Sequence, residues 1–219
     1  MNDNASHSNK FIEKSMKSPR IPQQARGHIR YQKILTAAVV LMEKLKSSNF
    51  TMQDLASEAD TSIGSLYHFF KYKKDLLSVL TSKHTRFIMD FYLERDKIPD
   101  VFWKDCAPNE VIEEAIMPAL RYISSNPDFL VLIRENQFDL ASEKNIHSQV
   151  LKFFKKIIGI RQPKFSDKEI EVYAQMLIAL PAGPLSVDQK ELAFSDTMLL
   201  REIPRALSSY LHYLESDRR

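Results

Sequence analysis

Small polar side chains gather between Thr51 and Lys73, at a spacing that suits contact with a nucleic acid. This stretch reads TMQDLASEADTSIGSLYHFFKYK and brings hydroxyl, imidazole and ammonium groups close together in the chain. Such groups donate hydrogen bonds to phosphates and to base edges. Small side chains also let a helix lie deep in the major groove of B-DNA. On a helix that begins after Ser62, the outward positions are Ser62, Gly64, Ser65 and His68.

Two short helices must position these side chains. Thr51 followed three residues later by Asp54 is typical of a capping box that begins the first helix. Asp60 predicts a turn in the left-handed conformation, and Ser62 predicts the cap of the second helix. The expected inner face of that second helix consists of Ile63, Leu66, Tyr67 and Phe70.

Longer helices must flank this pair, because isolated helices of about two turns are unstable in water. Apolar residues at helical spacing run from Tyr31 to Leu45, and a second such pattern begins near Lys73. The chain has only four glycines and no long alternating run of β-branched residues, which disfavours strands. The sequence therefore predicts an all-α fold with an N-terminal three-helix helix-turn-helix domain and a larger helical domain after it.

Positive charge is concentrated towards the N-terminus. Residues 1–86 contain 14 Lys and Arg against 7 Asp and Glu, whereas residues 87–219 contain 17 against 21. Such an excess suits a polyanionic partner. Residues 1–25 are polar and basic, so we expect a mostly disordered arm. Together with Arg26 and Arg30, this arm could follow the DNA minor groove or merely aid solubility.

The run from Tyr31 to Leu80 resembles the N-terminal DNA-binding domain of the TetR family of transcriptional regulators, through ILTAAVVLMEK, TMQDLASEADTSIGSLYHFF and KYKKDLL. The resemblance implies an all-helical homodimer on a palindromic double-stranded DNA operator, with phosphates held by Thr51, Tyr67 and Lys73. It also implies a small effector bound by the C-terminal domain, and repression as the usual mode of control. The candidate DNA contacts are Arg26, Arg30, Thr51, Ser62, Ile63, Gly64, Ser65, Tyr67, His68 and Lys73.

We expect three parts along the chain: a disordered basic arm (1–25), a helix-turn-helix DNA-binding domain (26–72) and a helical effector-binding and dimerisation domain (73–219). In the last part, proline and turn residues predict several breaks. They are a connection from Ile98 to Pro108, a helix disturbed by Pro118, a turn at Asn126–Asp128, a capping box at Ser166, a helix end at Pro181–Pro184 and a kink or first turn at Pro204.

Two late segments, Ser166–Leu180 and Thr197–Leu214, are apolar at helical spacing. We expect them to pair with their twofold mates in a homodimer, with Leu207 and Leu211 inside the interface.

Large apolar side chains in the C-terminal part favour a pocket for an apolar or amphipathic effector, although core packing is the alternative for each of them. Arg134 would orient a polar group of the ligand or form a structural ion pair. The candidate ligand residues are Phe102, Trp103, Met117, Tyr122, Phe129, Arg134, Phe138, Tyr173 and Met176.

No sequence motif indicates catalysis, a metal site or a cofactor site. The single cysteine, Cys106, excludes an intramolecular disulfide and a thiolate zinc site, and we expect His84 to be hydrogen-bonded or half-buried. Neither a signal-peptide core nor an apolar run of membrane-spanning length is present. We therefore expect a cytoplasmic, non-enzymatic DNA-binding protein. The alternatives are a helical ligand-binding protein or enzyme with a basic N-terminus, and an effectorless DNA-binding dimer.

Overall fold

The computed structural model describes residues 25–135, 144–186 and 196–216, and every regular element in these ranges is a helix. The first four are α1 (Ala25–Leu45), α2 (Met52–Glu58), α3 (Ile63–Phe69) and α4 (Lys73–Arg95). The next four are α5 (Asp100–Asp105), α6 (Pro108–Ala115), α7 (Met117–Ser125) and α8 (Pro127–Arg134). Then come α9 (Lys144–Arg161), α10 (Asp167–Ser186), a π-helical segment (Met198–Glu202) and α11 (Ile203–Ser216). The predicted all-α fold is confirmed, while residues 1–24 of the predicted arm lie outside the described residues.

Residues 25–70 form an N-terminal head around the ring of Tyr31. The ring of Phe70 stacks on it at 5.1 Å between centroids, and the ring of Phe69 meets it edge-on at 5.9 Å. Leu55 of α2 and Leu66 of α3 are fully buried. The two short helices are therefore stabilised by packing against α1 and not by their own length.

The described residues from 73 onward form the body. There α9 packs against α10, α5 and α4, while α11 packs against α6. The interior includes Trp103, Phe153 and Phe154, each almost fully buried. Contacts of α8 with α1 join the body to the head. No helix within the described ranges has the length and apolar character needed to cross a membrane.

Two expectations for the body are wrong. The stretch from Ile98 to Pro108 contains α5, because burial of Trp103 stabilises a short helix there. The helix expected to end at Pro181–Pro184 continues through both prolines to Ser186. A proline inside a helix removes a backbone N–H and crowds the carbonyl four residues earlier. Burial of Leu185 and the hydrogen bond from Arg134 to its carbonyl offset this cost.

The other predicted breaks are confirmed. Pro118 lies in the first turn of α7, just after α6 ends, and the turn at Asn126–Asp128 begins α8. Pro204 lies in the first turn of α11. The capping box that begins α10 is present: Glu169 Oε2 accepts from Ser166 N at 2.8 Å, and Ser166 Oγ accepts from Glu169 N at 3.4 Å.

Candidate nucleic-acid interface

The start of α2 is fixed by the predicted capping box. Thr51 Oγ1 accepts a hydrogen bond from Asp54 N at 3.1 Å, while Asp54 Oδ2 accepts from Thr51 N and from the Thr51 hydroxyl, both at 2.8 Å. The hydrogen bond from the Thr51 backbone, and then that from its hydroxyl, lower the pKa of the Asp54 carboxyl below its ordinary value. The Thr51 hydroxyl proton is therefore directed at Asp54, and the main structural effect of Thr51 is to begin the helix.

The turn between α2 and α3 has the predicted left-handed residue. Asp60 has a φ of 43°, and its carboxylate lies 3.0 Å from Lys33 Nζ, which ties the turn to α1. Ser62 then begins α3 as predicted, since its Oγ accepts from Ser65 N at 3.2 Å. These contacts define where the turn ends and where α3 begins.

The rotation of α3 about its axis differs from the sequence prediction. Ile63 and Tyr67 were expected on the inner face, but they are 38% and 49% exposed. The reason is that Phe69, and not Tyr67, packs edge-on against Tyr31. The ring of Tyr67 therefore belongs to the outer surface together with its hydroxyl. The buried stripe consists of Leu66, Phe69 and Phe70.

The outer face of α3 is shallow and polar. Gly64 and His68 are exposed, and Ser65 is partly exposed. A Cβ added to Gly64 would meet no heavy atom within 4 Å beyond the adjacent backbone, so the fold does not require glycine here. Because glycine lacks a side chain, a large partner can approach the backbone of this helix closely.

Arg30 extends this face from α1. Its Nη1 donates to Ser65 Oγ at 3.3 Å. Arg26 lies about one turn earlier in α1 and is also exposed. Guanidinium groups bind guanine and phosphate through paired N–H donors. The candidate arginines thus stand on a helix, and one of them contacts the outer face of α3 directly.

Lys73, the first residue of α4, ties this helix to the loop before α2. Its Nζ donates to the carbonyl oxygens of Ser48 at 2.8 Å and Phe50 at 3.1 Å, and it lies 5.2 Å from the ring centroid of Phe50. An ammonium group has three N–H donors. Among the described residues, these two hydrogen bonds leave one donor for a further partner such as a phosphate.

Tyr72 is an exposed aromatic residue that sequence reasoning missed. Its side chain is 50% exposed, and the ammonium groups of Lys71 and Lys74 each lie 5.4 Å from its ring centroid. Its backbone N–H donates to Asp75 Oδ2 at 3.0 Å, which begins α4. The signal in the sequence is an aromatic residue flanked by lysines at the end of the head.

Two of the candidate ligand residues surround a buried histidine. His84 Nδ1 lies 2.8 Å from the Tyr122 hydroxyl, and His84 Nε2 lies 3.0 Å from Asp128 Oδ2. His84 and Asp128 are 0% and 1% exposed, and the ring of Phe129 stacks on the imidazole at 4.4 Å. The expectation that His84 is hydrogen-bonded is confirmed. Tyr122 and Phe129 are correspondingly engaged in the core.

The other candidate ligand residues are spread through the body. Trp103 is buried in α5, with its ring edge-on to Phe153 at 5.5 Å between centroids. Arg134 Nε donates to the carbonyl of Leu185 at 3.4 Å, which anchors the end of α10 to α8. Among the rest, Met117 is buried, Tyr173 is half-buried, Phe102 and Met176 are exposed, and Phe138 lies outside the described residues.

A surface pocket of about 250 Å³ is lined by Lys104, Arg161, Gln162 and Glu215. Arg161 Nε pairs with Glu215, and its Nη1 donates to the carbonyl of Cys106 at 2.8 Å. The described lining contains none of the candidate ligand residues. Its polar character also differs from the apolar pocket that the sequence predicts.

The expectation for Leu207 and Leu211 is wrong. Both are fully buried within their own chain, because α11 packs against α6. The small and apolar residues that these late helices expose are Val172, Met176, Ala179 and Gly183 on α10, and Ala206 and Tyr213 on α11.

Residues 34–80 match the family model described as bacterial regulatory proteins, tetR family. A TetR-like transcriptional regulator from Rhodococcus sp. RHA1 has a similar structure, with a TM-score of 0.62 at 15% identity, over 90% of this chain and 100% of that one. A putative TetR-family transcriptional regulator from Syntrophomonas wolfei is similar with a TM-score of 0.57 at 18% identity, over 87% of this chain and 96% of that one. No curated protein matches the chain by sequence. The sequence match covers the second half of α1, the two short helices and the start of α4. The structural likeness extends the similarity of fold through the body.

Proposed function

We propose that this chain, a DNA-binding transcriptional regulator of the TetR family, binds a palindromic operator as a homodimer. It represses transcription until a small molecule binds the body. Operator binding rests on the head, dimerisation on α10 and α11, and effector binding on the body. Each part has its own test.

The outer face of α3 is the observation that carries operator binding. Its small polar surface at Gly64, Ser65 and His68 stands clear of the core. We assign base reading to Ser65 and His68, with Ile63 available for apolar contact to a thymine methyl group. Contacts to the DNA backbone are assigned to Arg26, Arg30, Ser62, Tyr67 and the remaining donor of Lys73, while Thr51 contributes by fixing the start of α2.

Selection of DNA from random fragments with the purified protein tests operator binding. We expect a palindromic site, because a twofold dimer presents two copies of α3. Arg26→Ala should weaken binding to all sequences and reduce the salt slope by about one unit. His68→Ala should instead change the preferred bases. Lys97→Ala, which removes an exposed lysine in the body, is the control.

Failure to retain any DNA at low salt would contradict operator binding, because electrostatic association is strongest there. A uniform affinity loss for His68→Ala across all sequences would remove His68 from base reading.

The dimer interface is proposed on the exposed faces of α10 and α11. Val172, Met176, Ala179 and Gly183 recur at helical spacing along α10, and the first of these is 50% exposed. On α11, Tyr213 is 61% exposed. Because α10 contacts α11 within the chain, the two exposed faces can meet their twofold mates as one surface. Met176 is accordingly reassigned from the ligand set to this interface.

Val172→Asp tests this surface. A charge in the interface should shift the protein towards monomers in sedimentation, since stable dimers bury at least about 1,000 Å² in total. The matched control is Val101→Asp, since Val101 is 62% exposed and lies on α5, which is not one of the two helices of the proposed interface. A native protein that sediments as a monomer at micromolar concentration would contradict the dimer.

Release by a small molecule is supported by the family fold and by the large aromatic content of the body. The packing of Tyr122 and Phe129 on His84, and of Trp103 on Phe153, favours a second candidate: an effectorless dimer with a filled body. A thermal-shift screen of apolar and amphipathic compounds separates the two. Stabilising compounds that also release operator DNA support the repressor. Stabilising compounds without release would separate ligand binding from regulation, whereas a screen with no stabilising compound supports the effectorless dimer.

A further inference from the structure

Glu135 joins the body to the head through three hydrogen bonds. It follows the last residue of α8, and its Oε1 accepts from the Ser47 hydroxyl at 2.6 Å and from Ser48 N at 2.8 Å. Its Oε2 accepts from the Ser48 hydroxyl. Both serines belong to the loop between α1 and α2. The contact is partly buried and charge-assisted, which makes its hydrogen bonds stronger than those between neutral groups.

Lys73 holds the same loop from the other side, through the carbonyl oxygens of Ser48 and Phe50. Ser48 and Phe50 are 7% and 3% exposed, so the loop is fixed between α8 and α4. It leads directly into Thr51 and α2. A shift of α8 relative to α4 would therefore be transmitted to the short helices of the head.

The contact depends on the charge of Glu135. Burial alone would raise the pKa of its carboxyl, but the hydrogen bonds from Ser47 and Ser48 and the charge of Lys73 outweigh burial and lower the pKa below its ordinary value. A carboxylate accepts through both oxygens, whereas a carboxamide accepts through only one. Glu135→Gln therefore disrupts the contact with little change in side-chain size.

We infer that Glu135 is a positioning residue for operator binding: through Ser47 and Ser48 it sets the angle at which the body holds the head. The inference rests on the proposed function, because the angle matters to a dimer that must place two α3 helices on two half-sites. Half-sites lie about 34–36 Å apart, or multiples of that distance. When the head is held at one angle, the dimer binds half-sites at one spacing. A head released from Glu135 keeps its DNA contacts but accepts a wider range of spacings.

The test compares Glu135→Gln with Glu110→Gln on the operator selected by the unaltered protein. Glu110 is another glutamate of the body, and it accepts from Ala107 N at 2.7 Å at the start of α6. The DNA is prepared with its natural spacing, with one base pair inserted or removed between the half-sites, and as a single half-site. Ser47→Ala removes one of the three hydrogen bonds to Glu135, together with the one that Ser47 Oγ accepts from Asn49 N at 3.1 Å, and it tests the same contact in a milder form.

We expect Glu135→Gln to lower affinity for the natural spacing by about two- to thirtyfold. It should also reduce the discrimination against altered spacings and leave binding to the single half-site unchanged. Ser47→Ala should show the same pattern with a smaller change, and it supplies the comparison if Glu135→Gln does not fold. Glu110→Gln should behave as the unaltered protein.

Equal losses on the full site and the half-site would assign Glu135 to the stability of the head and overturn the inference. Unchanged discrimination between spacings would also overturn it. If the unaltered protein selects a half-site but no palindrome, the dimer model fails and the inference fails with it. That outcome is visible before any variant is made.

Discussion

The head and the body both contain short helices, but they begin them by different means. In the head, α2 and α3 have seven residues each, and a side-chain oxygen of Thr51 or Ser62 accepts a backbone N–H at the start. In the body, α6, α7 and α8 each carry a proline in the first turn. A proline sets φ for the helix and has no N–H that needs a partner, whereas a serine or threonine cap must hydrogen-bond to a later residue.

This difference places polar groups in different surroundings. The capping residues Thr51, Asp54 and Ser62 of the head are exposed. The body instead encloses Asp128 and His84 among aromatic rings. Loss of a buried polar group in the body should therefore cost more stability than loss of an exposed cap in the head, whereas substitutions on the outer face of α3 should change DNA binding more than stability.

The largest expected effect is that of Asp128→Ala. It would leave His84 Nε2 without its partner in a fully buried site, and we expect a loss of about 2–4 kcal/mol in the free energy of unfolding. Urea unfolding followed by circular dichroism measures it. Asp54→Ala, at an exposed aspartate, is the control and should cost less. Equal losses for the two variants would remove the proposed contrast between head and body.

Thr51→Ala should have the next largest effect. It removes the hydroxyl that accepts from Asp54 N, and loss of a threonine cap costs about 1 kcal/mol. Thr51→Ser keeps the hydroxyl and should restore most of the stability. If Thr51→Ala leaves stability unchanged but weakens DNA binding, the hydroxyl acts on DNA and not as a cap.

Gly64→Ala should change stability and operator binding in opposite directions. An added Cβ has open space around it, so alanine should stabilise α3 by up to about 1 kcal/mol. The same methyl group would stand on the proposed DNA-facing surface, and we expect weaker operator binding in a gel-shift titration. Unchanged or tighter binding would show that the DNA does not approach this position closely.

The smallest expected effect is the pH dependence of the stability that Glu135 contributes at the junction of head and body. Because the folded-state pKa of Glu135 is lowered, its contribution to stability is present above the ordinary glutamate pKa of about 4.3 and is lost as pH falls through the folded value. Glu135→Gln should therefore be less stable than the unaltered protein at pH 7, and the difference should shrink in acid. A difference that stays constant down to pH 3 would contradict an ionised Glu135.

Local rules predicted the starts and turns of the head. Thr51 with Asp54, Asp60 in the left-handed conformation and the Ser62 cap each depend on residues a few positions apart, and all are present. The rotation of α3 was not predictable in this way, because it depends on which ring packs against Tyr31 of another helix.

Features of the body and the junction depend on residues distant in sequence. Glu135 meets Ser47 across 88 positions, and His84 meets Asp128 across 44. The burial of Leu207 and Leu211 depends on α6, which lies far earlier in the chain. Periodicity identified these leucines as an apolar face but could not say whether the face is covered by the same chain or by a second copy.

Trp103 is the only tryptophan of the chain, and it is fully buried in the body against Phe153. Intrinsic fluorescence excited at the indole therefore reports on the body alone, and the head contributes nothing to that signal. Ellipticity in the far ultraviolet, in contrast, registers the helices of both regions. If the head melts before the body, the ellipticity decreases while the emission maximum stays at short wavelength. The gap between the two melting curves would then measure how far the folding of the head is independent of the body.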